Sequence, residues 1–341
     1  MNESKYISPT TNGSPLDPAT GLSGRRITRF SPPPFAHIPV MVESVTEIFS
    51  TVPSGLILDA TIGGGGHSLE ILKSREDLNV IGIDQDPEAL AAADAKLTGF
   101  ADRVSLIHGR FDDLSAVTRQ IGNQKLSGFL FDLGVSSYQL DNPRRGFSFR
   151  NDGPLDMRMN PNSQITAGVY VNEATEEELA SLLYNYGDEK YSKRVAKAIV
   201  SMRPIHSTKE LADIIRDAIP ARSKRSPGHP ARRSFQALRI AVNSEIEILE
   251  SSIREAIRLL KIGGRGIVLS YHSGEDKVVK RTLRQLAGLD ISNSKYHPEV
   301  RQQKSILLLA RKAQRASSDE ISRNPRASSA LLRKFEKVSE L

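Results

Sequence analysis

Four consecutive glycines stand between an aspartate and a histidine in the stretch Asp59-Ala-Thr-Ile-Gly63-Gly64-Gly65-Gly66-His67. Glycines in a turn let a ligand approach the backbone closely, and a helix that begins there offers free N–H groups to an anionic group. Asp84 ends the next apolar run, where a carboxylate is placed to bind two ribose hydroxyls. These residues predict a site for a cofactor that contains a nucleoside, although a glycine-rich turn alone also fits a plain structural turn.

Two cofactor classes fit this pattern, the nicotinamide dinucleotides and S-adenosylmethionine. The dinucleotide fingerprint requires a third glycine three residues after the second, and counting from Gly65 that position is Ser68. S-adenosylmethionine has no pyrophosphate to hold, and its ammonium group favours a nearby carboxylate such as Asp59. The pattern therefore favours S-adenosylmethionine, and a nicotinamide-dependent oxidoreductase is the alternative.

A second polar cluster, Asp132-Leu-Gly-Val-Ser-Ser-Tyr-Gln139, follows the fourth predicted strand. Substrate and cofactor meet at this edge of an open parallel sheet, so Asp132 is either a reactive carboxylate or a helix cap. Arginines and aromatic residues then alternate in Arg145-Gly-Phe-Ser-Phe-Arg150. Aromatic faces beside cations suit the bases and phosphates of RNA, and a structural loop fits this composition equally.

A third cluster, Ser270-Tyr-His-Ser-Gly-Glu-Asp276, follows a later strand at the same edge. His272 within it is interpreted either as a general base or as an oriented hydrogen-bonding group. The other histidines lack the spacing of metal ligands, so no metal site is predicted.

The elements that must position these clusters alternate between strands and helices up to residue 133. Strands are predicted over residues 56–60, 80–83, 104–107 and 128–133, and this spacing is typical of a parallel sheet. Helical patterns then follow without strands, over residues 175–186, 191–202, 207–220 and 235–260, the last as one or two helices. The spacings Thr175-x-x-Glu178 and Ser207-x-x-Glu210 predict capping boxes at the start of two of them. A strand over 266–270 and a hairpin of 305–311 with 329–335 complete the pattern.

The fold class is therefore α/β, a Rossmann-like sheet with an inserted, mostly helical domain. Residues 1–34, rich in proline, serine and glycine, are predicted to form a disordered extension. The sheet domain is expected over residues 35–138 and 240–341, and the helical insertion, as a substrate-recognition domain, over 139–239.

Composition limits the class of protein further. The 341 residues include no cysteine, which excludes a disulfide scaffold and favours a reducing, cytoplasmic setting. No apolar run approaches the roughly 20 residues that cross a bilayer.

The basic charge of the chain lies in two clusters. The net charge is +7, yet residues 221–233 carry +5 and residues 301–341 carry +6. Two basic clusters on a near-neutral body favour a polyanion-binding surface, without distinguishing RNA from DNA.

Taken together, these stretches resemble the ribosomal RNA small subunit methyltransferase H family, from about His37 to the C-terminus. That family uses S-adenosylmethionine to methylate the exocyclic N4 of a cytidine in the decoding region of bacterial 16S rRNA. The resemblance is carried by His37-Ile-Pro-Val-Met41, Gly65-Gly66-His67-Ser68, Ile83-Asp84-Gln-Asp86-Pro87, Asp132-Leu-Gly-Val-Ser-Ser137, Arg145-Gly-Phe-Ser-Phe149, Asp152-Gly-Pro-Leu-Asp-Met-Arg-Met159, Phe235-Gln-Ala-Leu-Arg-Ile240, Val242-Asn-Ser-Glu245, His272-Ser273, Glu275-Asp276 and Asn324-Pro-Arg326.

The resemblance implies a set of site residues. The family's cofactor contacts fall on Gly65, Gly66, His67, Asp84, Phe111, Asp132 and Gln139. Asp84 is expected to hold the ribose and Phe111 to border the adenine, while Asp132 and Gln139 lie nearer the methionine and the target base. The substrate-binding candidates are Phe147, Phe149, Arg150, Tyr271 and His272. The sequence departs from the family in having Tyr271 where phenylalanine is common, Gly274 for leucine, and Lys277 and Ser328 for arginine.

Methyl transfer is an in-line displacement at a sulfonium carbon, so alignment of the reacting atoms supplies much of the rate. We expect Asp132 to accept a hydrogen bond from the cytosine amine while Phe147, Phe149 or Tyr271 stacks on an extruded base. The amine proton could instead leave to water. The expected partner is 16S rRNA within the small ribosomal subunit, bound by a monomer or a homodimer. Alternatives are a DNA or protein substrate, and a ribosome-assembly protein with a vestigial cofactor fold.

Overall fold

The computed structural model describes residues 38–220, 229–289 and 304–341. The expected N-terminal extension lies outside the described residues, as do His37 and three members of the first basic cluster, Arg222, Lys224 and Arg225. The stretch Phe35–Leu341 groups as one compact unit. Within the described ranges, no helix combines the length and the apolar character that crossing a membrane requires.

Five parallel strands form the part of the sheet that carries the site. They are β1 Gly55–Asp59, β2 Leu78–Asp84, β3 Val104–His108, β4 Leu126–Asp132 and β5 Leu260–Ser270. They pair in the order β3-β2-β1-β4-β5. Both faces of β1, β2, β4 and β5 pack on apolar cores, which explains their nearly continuous apolar runs, whereas β3 lies at the edge of the sheet and is only partly buried. The predicted strands are confirmed, and β5 begins earlier than expected, at Leu260.

The far edge of the sheet is antiparallel. Strand β8 Leu331–Lys337 pairs with β5, and the short strands β6 Ile306–Leu308 and β7 Gln314–Arg315 pair with β8. The expected antiparallel pairing of the two segments is confirmed by the register of Leu308 with Phe335, although β7 and a helix over Ser318–Arg323 lie between them, so they form no simple hairpin. In the described residues the sheet thus has eight strands, in the order β3-β2-β1-β4-β5-β8-β6 with β7 beside β8. This is the predicted Rossmann-like α/β architecture.

Helices cover both faces of the sheet. One face packs on α1 Val42–Phe49, α2 Gly66–Ser74 and α3 Pro87–Leu97. The other packs on α4 Ser115–Ile121, α11 Leu249–Leu259 and α12 Ser273–Leu286. Since β1, β2 and β4 are parallel, Asp59, Asp84 and Asp132 all lie at one edge, the edge to which ligands bind in open α/β sheets.

The insertion consists of short helices with an apolar core of their own. They are α5 Ser137–Asp141, α6 Ala167–Glu173, α7 Glu176–Gly187, α8 Ser192–Ser201, α9 Thr208–Ala218 and α10 Arg232–Asn243. Two of the helix starts predicted from capping residues are confirmed, because Thr175 forms a capping box with Glu178 and Ser207 caps α9.

The limits of the insertion differ in detail from the expectation. The division at 138/139 falls within α5 and the division at 239/240 falls within α10, so each would cut a helix. The apolar pattern over 235–260 belongs to two helices, because Ser244 adopts a left-handed conformation with φ of 52°. Since Val242 still packs on the insertion core, helix α10 belongs to the insertion to its end. A functional division of labour between sheet and insertion stays a prediction.

Candidate active site

The glycine turn between β1 and α2 has the geometry that only glycine allows. Gly63 and Gly65 adopt φ of +52° and +75°, in the left-handed region. A Cβ on Gly66 would lie 2.7 Å from Cγ of Pro39, so no larger residue fits. Helix α2 begins at Gly66 without a side-chain cap, so its first N–H groups are available to an anionic ligand.

Asp84 holds this turn against the end of β2. Its two carboxylate oxygens accept hydrogen bonds from the backbone N–H groups of Gly63 and Asp86, each at 2.9 Å. Burial raises the pKa of Asp84 to about 6. The carboxylate oxygens have further lone pairs for hydroxyl donors, and the expected contact of Asp84 with the ribose stays a prediction.

Asp59 lies beneath the turn and is almost fully buried. The hydroxyl of Ser68 donates a 2.7 Å hydrogen bond to its Oδ2, and the N–H of Thr61 lies 3.4 Å from its Oδ1. Burial raises the pKa of Asp59 to about 6. Ser68 occupies the position that distinguishes this turn from a dinucleotide fingerprint, and the structure shows that its hydroxyl binds Asp59.

Asp132, at the end of β4, is the carboxylate around which the candidate site is built. The hydroxyl of Tyr271 donates to its Oδ1 at 2.6 Å, and Nδ1 of His67 lies 3.5 Å from its Oδ2. Its backbone N–H donates to the Thr61 hydroxyl at 2.6 Å. Burial raises the pKa of Asp132, against the opposing influence of His67 and Tyr271. About a quarter of its side chain, 26%, is exposed, so a ligand at the edge can reach it.

Gln139 is buried inside a polar cluster. It closes the capping box of α5 with Ser136, and its Nε2 donates to Oδ2 of Asp86 at 2.8 Å. Asp86 also caps α3, in front of Pro87 at the first helical position. These bonds give Gln139 a structural role. Its predicted contact with the cofactor stays a prediction.

Sequence reasoning missed the role of Arg145. This buried arginine donates to Asp86 at 2.7 Å and to Glu88 at 2.9 Å. Its other terminal nitrogen donates to the backbone carbonyls of Arg158 and Met159. Arg145 thereby joins the loop after the insertion's first helix to the start of α3. No local signal in the sequence marks Arg145 as the partner of Asp86, which lies 59 positions away.

The predicted aromatic residues lie in different environments. Phe111 is half-buried and meets Phe131 edge-on, with ring centroids 5.4 Å apart. Phe147 is only 6% exposed and belongs to the insertion core, so it presents no free ring face to a base. Phe149 stacks on His229 at 4.5 Å and meets Phe235 edge-on at 5.3 Å. Tyr271 remains partly exposed beside Asp132, whereas Phe147 packs too tightly for the stacking role.

His272 begins helix α12 and acts as its cap. Its Nδ1 accepts from the N–H of Glu275 at 3.4 Å, and Oε2 of Glu275 accepts from the N–H of Tyr271 at 2.7 Å. Burial works to raise the pKa of Glu275, but His272 and Arg239 bring it below its usual value. The structure therefore favours the interpretation of His272 as an oriented hydrogen-bonding group, and it is Glu275 that holds the backbone of Tyr271.

Only some of the basic residues that the sequence groups into clusters are exposed at the surface. Arg150 is exposed, as are Arg232 and Arg233 of the first basic cluster. In the second cluster, Lys337 is fully buried and donates to the carbonyl of Leu260 at 2.8 Å. Arg333 of the same cluster is paired with Asp276 at 2.7 Å. These two charges serve the fold, so the C-terminal cluster offers less to a polyanion than its composition indicates.

Comparison with known proteins decides the family. Residues 34–338 match the MraW methylase family. The chain belongs to that family. The ribosomal RNA small subunit methyltransferase H of Heliobacterium modesticaldum is 46% identical over 89% of this chain and 99% of its own. The protein of that name from Thermobifida fusca is 43% identical, over 92% and 96%. Among solved structures, an rRNA methylase from Streptococcus thermophilus aligns over 89% of this chain and 100% of its own, with 12% identity and a TM-score of 0.40.

Membership of the family confirms the prediction of a methyltransferase that uses S-adenosylmethionine. The residues of the site fit this cofactor: the uncapped start of α2 suits its carboxylate, and Asp84 suits its ribose hydroxyls. The glycine turn leaves open space above Gly63, where the nearest atom to an added Cβ is 3.9 Å away. In the part of the chain that the structure describes, no three histidine, aspartate or glutamate side chains are grouped so that they could hold a metal ion.

Proposed function

We propose that this protein transfers the methyl group of S-adenosylmethionine to the exocyclic N4 of a cytidine in the decoding region of 16S rRNA. The relatives named above carry the activity on small-subunit ribosomal RNA in their names. The observation that carries the proposal is the position of Asp132. Its partly exposed carboxylate stands at the carboxyl end of β4, between His67 and Tyr271.

Asp132 supplies what a cytosine amine needs. The lone pair of that amine is delocalised into the ring, so the nitrogen gains nucleophilicity only as it pyramidalises. A carboxylate that accepts a hydrogen bond from the amine favours this change and takes up the proton as the nitrogen becomes positive. When bound, S-adenosylmethionine supplies an electrophilic methyl group on a sulfonium. The hydroxyl of Tyr271 donates a 2.6 Å hydrogen bond to Oδ1, which lowers the pKa of Asp132 and so favours its ionised form.

The target base requires a stacking surface next to Asp132. Tyr271 is the candidate that its position supports best, since its ring is partly exposed and its hydroxyl is fixed on Asp132. Phe149 is a second candidate with one face on His229. To stack on either ring, the target base must leave its stack in the RNA. Enzymes that act on a nucleobase commonly extrude it in this way.

We assign binding of the RNA backbone to the helical insertion. Exposed arginines, Arg150 with Arg232 and Arg233, lie on or next to it. Phosphate contacts of this kind position an RNA without reading its sequence, so base selection would rest on the Asp132 site. We further propose that the substrate is the assembled small subunit in the cytoplasm, bound without a metal by a monomer or a homodimer.

Methyl transfer to ribosomal subunits tests the proposal. Small subunits from cells that lack this protein are incubated with purified protein and tritiated S-adenosylmethionine, and the rRNA is digested to nucleosides. Label in N4-methylcytidine is the expected result, and label in another nucleoside or in protein would replace the proposed substrate. Asp132→Asn is the companion variant: normal affinity for the cofactor with full turnover would remove Asp132 from the chemistry.

A further inference from the structure

The two ring nitrogens of His67 have different partners. Nε2 lies 2.8 Å from the carbonyl oxygen of Val40. A carbonyl oxygen only accepts, so Nε2 carries the hydrogen, and Nδ1 of a neutral ring then carries the lone pair. That lone pair faces Oδ2 of Asp132 at 3.5 Å. His67 is 7% exposed, so bulk water does not screen the contact.

This arrangement differs from the usual one, in which a histidine donates its N–H to a carboxylate. Here Nδ1 of His67 and Oδ2 of Asp132 face each other and both are proton acceptors. Their contact becomes favourable when one proton lies between them. Tyr271 occupies Oδ1 of Asp132 and leaves Oδ2 for this contact. The other charged groups nearby are acidic: Asp59 on the side of His67, and Glu275 on the side of Asp132. These two carboxylates therefore add negative charge on either side of the contact between His67 and Asp132.

We propose that His67 is the second acceptor of a proton relay, taking on Nδ1 the proton that Asp132 receives from the cytidine amine. This inference rests on the proposed function. The amine lone pair forms the N–CH₃ bond, and the C–S bond breaks with its electron pair going to sulfur. The N–H electron pair then returns to nitrogen, while the proton passes to Asp132 and onward to His67. His67 is a positioning residue in this scheme, since it acts through Asp132, and the carbonyl of Val40 sets its tautomer.

The resting tautomer is testable in the wild-type chain. The full-length protein is labelled with ¹⁵N-histidine, and the ring nitrogens of His67 are assigned by the loss of their signals in His67→Gln. We expect a protonated Nε2 and an unprotonated Nδ1 at pH 8. A resting ring with its hydrogen on Nδ1 would overturn the relay, because that nitrogen would then already be occupied. This measurement does not depend on the activity of any variant.

Kinetics of His67→Gln test the relay itself. The glutamine amide keeps a donor for Val40 but has no basic nitrogen to receive a proton. We expect kcat to fall by about 100-fold, at the lower end of what a positioned proton acceptor contributes, with KM for S-adenosylmethionine within about threefold of wild type. Since His67 works to lower the pKa of Asp132, its replacement raises that pKa, and the acidic limb of kcat moves to higher pH.

His108→Gln is the matched control. The Nε2 of His108 also meets a backbone carbonyl, that of Gln85 at 3.1 Å, but the ring is exposed. Wild-type kcat and pH profile are expected for it. If His67→Gln keeps the wild-type kcat and acidic limb, or changes only KM for the cofactor, the relay is refuted while the proposed function stands. If the wild-type protein does not methylate cytidine at all, the proposed function itself fails.

Discussion

Ser68 and Asp59 form a buried pair in which the serine hydroxyl donates to Oδ2 of the carboxylate at 2.7 Å. Ser68 lies in the first turn of α2 and Asp59 at the end of β1, so the bond joins the two sides of the glycine turn. A glycine at position 68, as a dinucleotide fingerprint would have, could not make it. Ser68, which distinguishes the sequence from that of a dinucleotide-binding turn, therefore also stabilises the shape of the glycine turn.

Ser68→Ala is expected to lower the free energy of unfolding by about 1–3 kcal/mol, since the buried carboxylate of Asp59 loses its hydroxyl donor. Urea denaturation at pH 7 measures the change. Ser74→Ala in the same helix is the control. Its hydroxyl binds the carbonyl of Ile71 from an exposed position, and about 0.5 kcal/mol or less is expected. Equal losses of unfolding free energy in the two variants would show that the buried Ser68–Asp59 hydrogen bond stabilises the protein no more than an exposed one.

Binding of S-adenosylhomocysteine should weaken as the pH falls through about 6. Burial places the pKa of Asp84 at about 6, so its carboxylate is ionised at pH 8 and protonated at pH 5. Only the ionised form accepts from both ribose hydroxyls, and affinity should drop by up to about tenfold per pH unit below the pKa. Calorimetry between pH 5 and 8 measures the slope.

Asp84→Asn is the comparison for this pH dependence. The amide does not titrate, so the variant should bind weakly and with a flatter profile. Asp59 also has a pKa of about 6. A wild-type slope that persists unchanged in Asp84→Asn would therefore assign the pH dependence to Asp59 and contradict the role of Asp84.

The parts of the site that follow from local rules were predictable from sequence. Parallel βα units place the carboxyl ends of strands at one edge, so the sequence alone is enough to group Asp59, Asp84 and Asp132 there. The caps at Thr175 and Ser207 follow from a spacing of three residues to a glutamate. Each of these inferences needs only residues that are close in the chain.

Contacts between distant residues were not predictable in this way. Arg145 meets Asp86 across 59 positions of sequence, and Tyr271 meets Asp132 across 139. Phe147 and Phe149 are alike in sequence context, yet the insertion core buries one and leaves the other partly exposed. Ser244 ends α10 in a left-handed conformation that glycine usually adopts, so no glycine marked the break between α10 and α11.

Arg145→Lys should destabilise the protein although it keeps the charge. The guanidinium donates in several fixed directions, to Asp86, Glu88 and two backbone carbonyls, and an ammonium cannot reach all of them. A loss of about 1–3 kcal/mol in the free energy of unfolding is expected, because buried acceptors lose their donors. Arg150→Lys, at an exposed position of the same loop, serves as control with a change within about 0.5 kcal/mol. A neutral result for Arg145→Lys would mean that water replaces the missing donors.

Tyr271→Phe removes only the hydroxyl that donates to Oδ1 of Asp132. Burial raises the pKa of Asp132, and the hydrogen bond from Tyr271 lowers it, so removal of the hydroxyl should raise that pKa further. A carboxylate with a higher pKa stays protonated to a higher pH, and a protonated Asp132 cannot accept the amine proton. The acidic limb of the kcat profile should therefore move to higher pH, while the plateau at alkaline pH stays near wild type because the ring still stacks. Single-turnover rates on small subunits from pH 5.5 to 9, about the range in which such groups titrate, measure both quantities. A lowered plateau with an unmoved limb would instead assign the hydroxyl to positioning of the base.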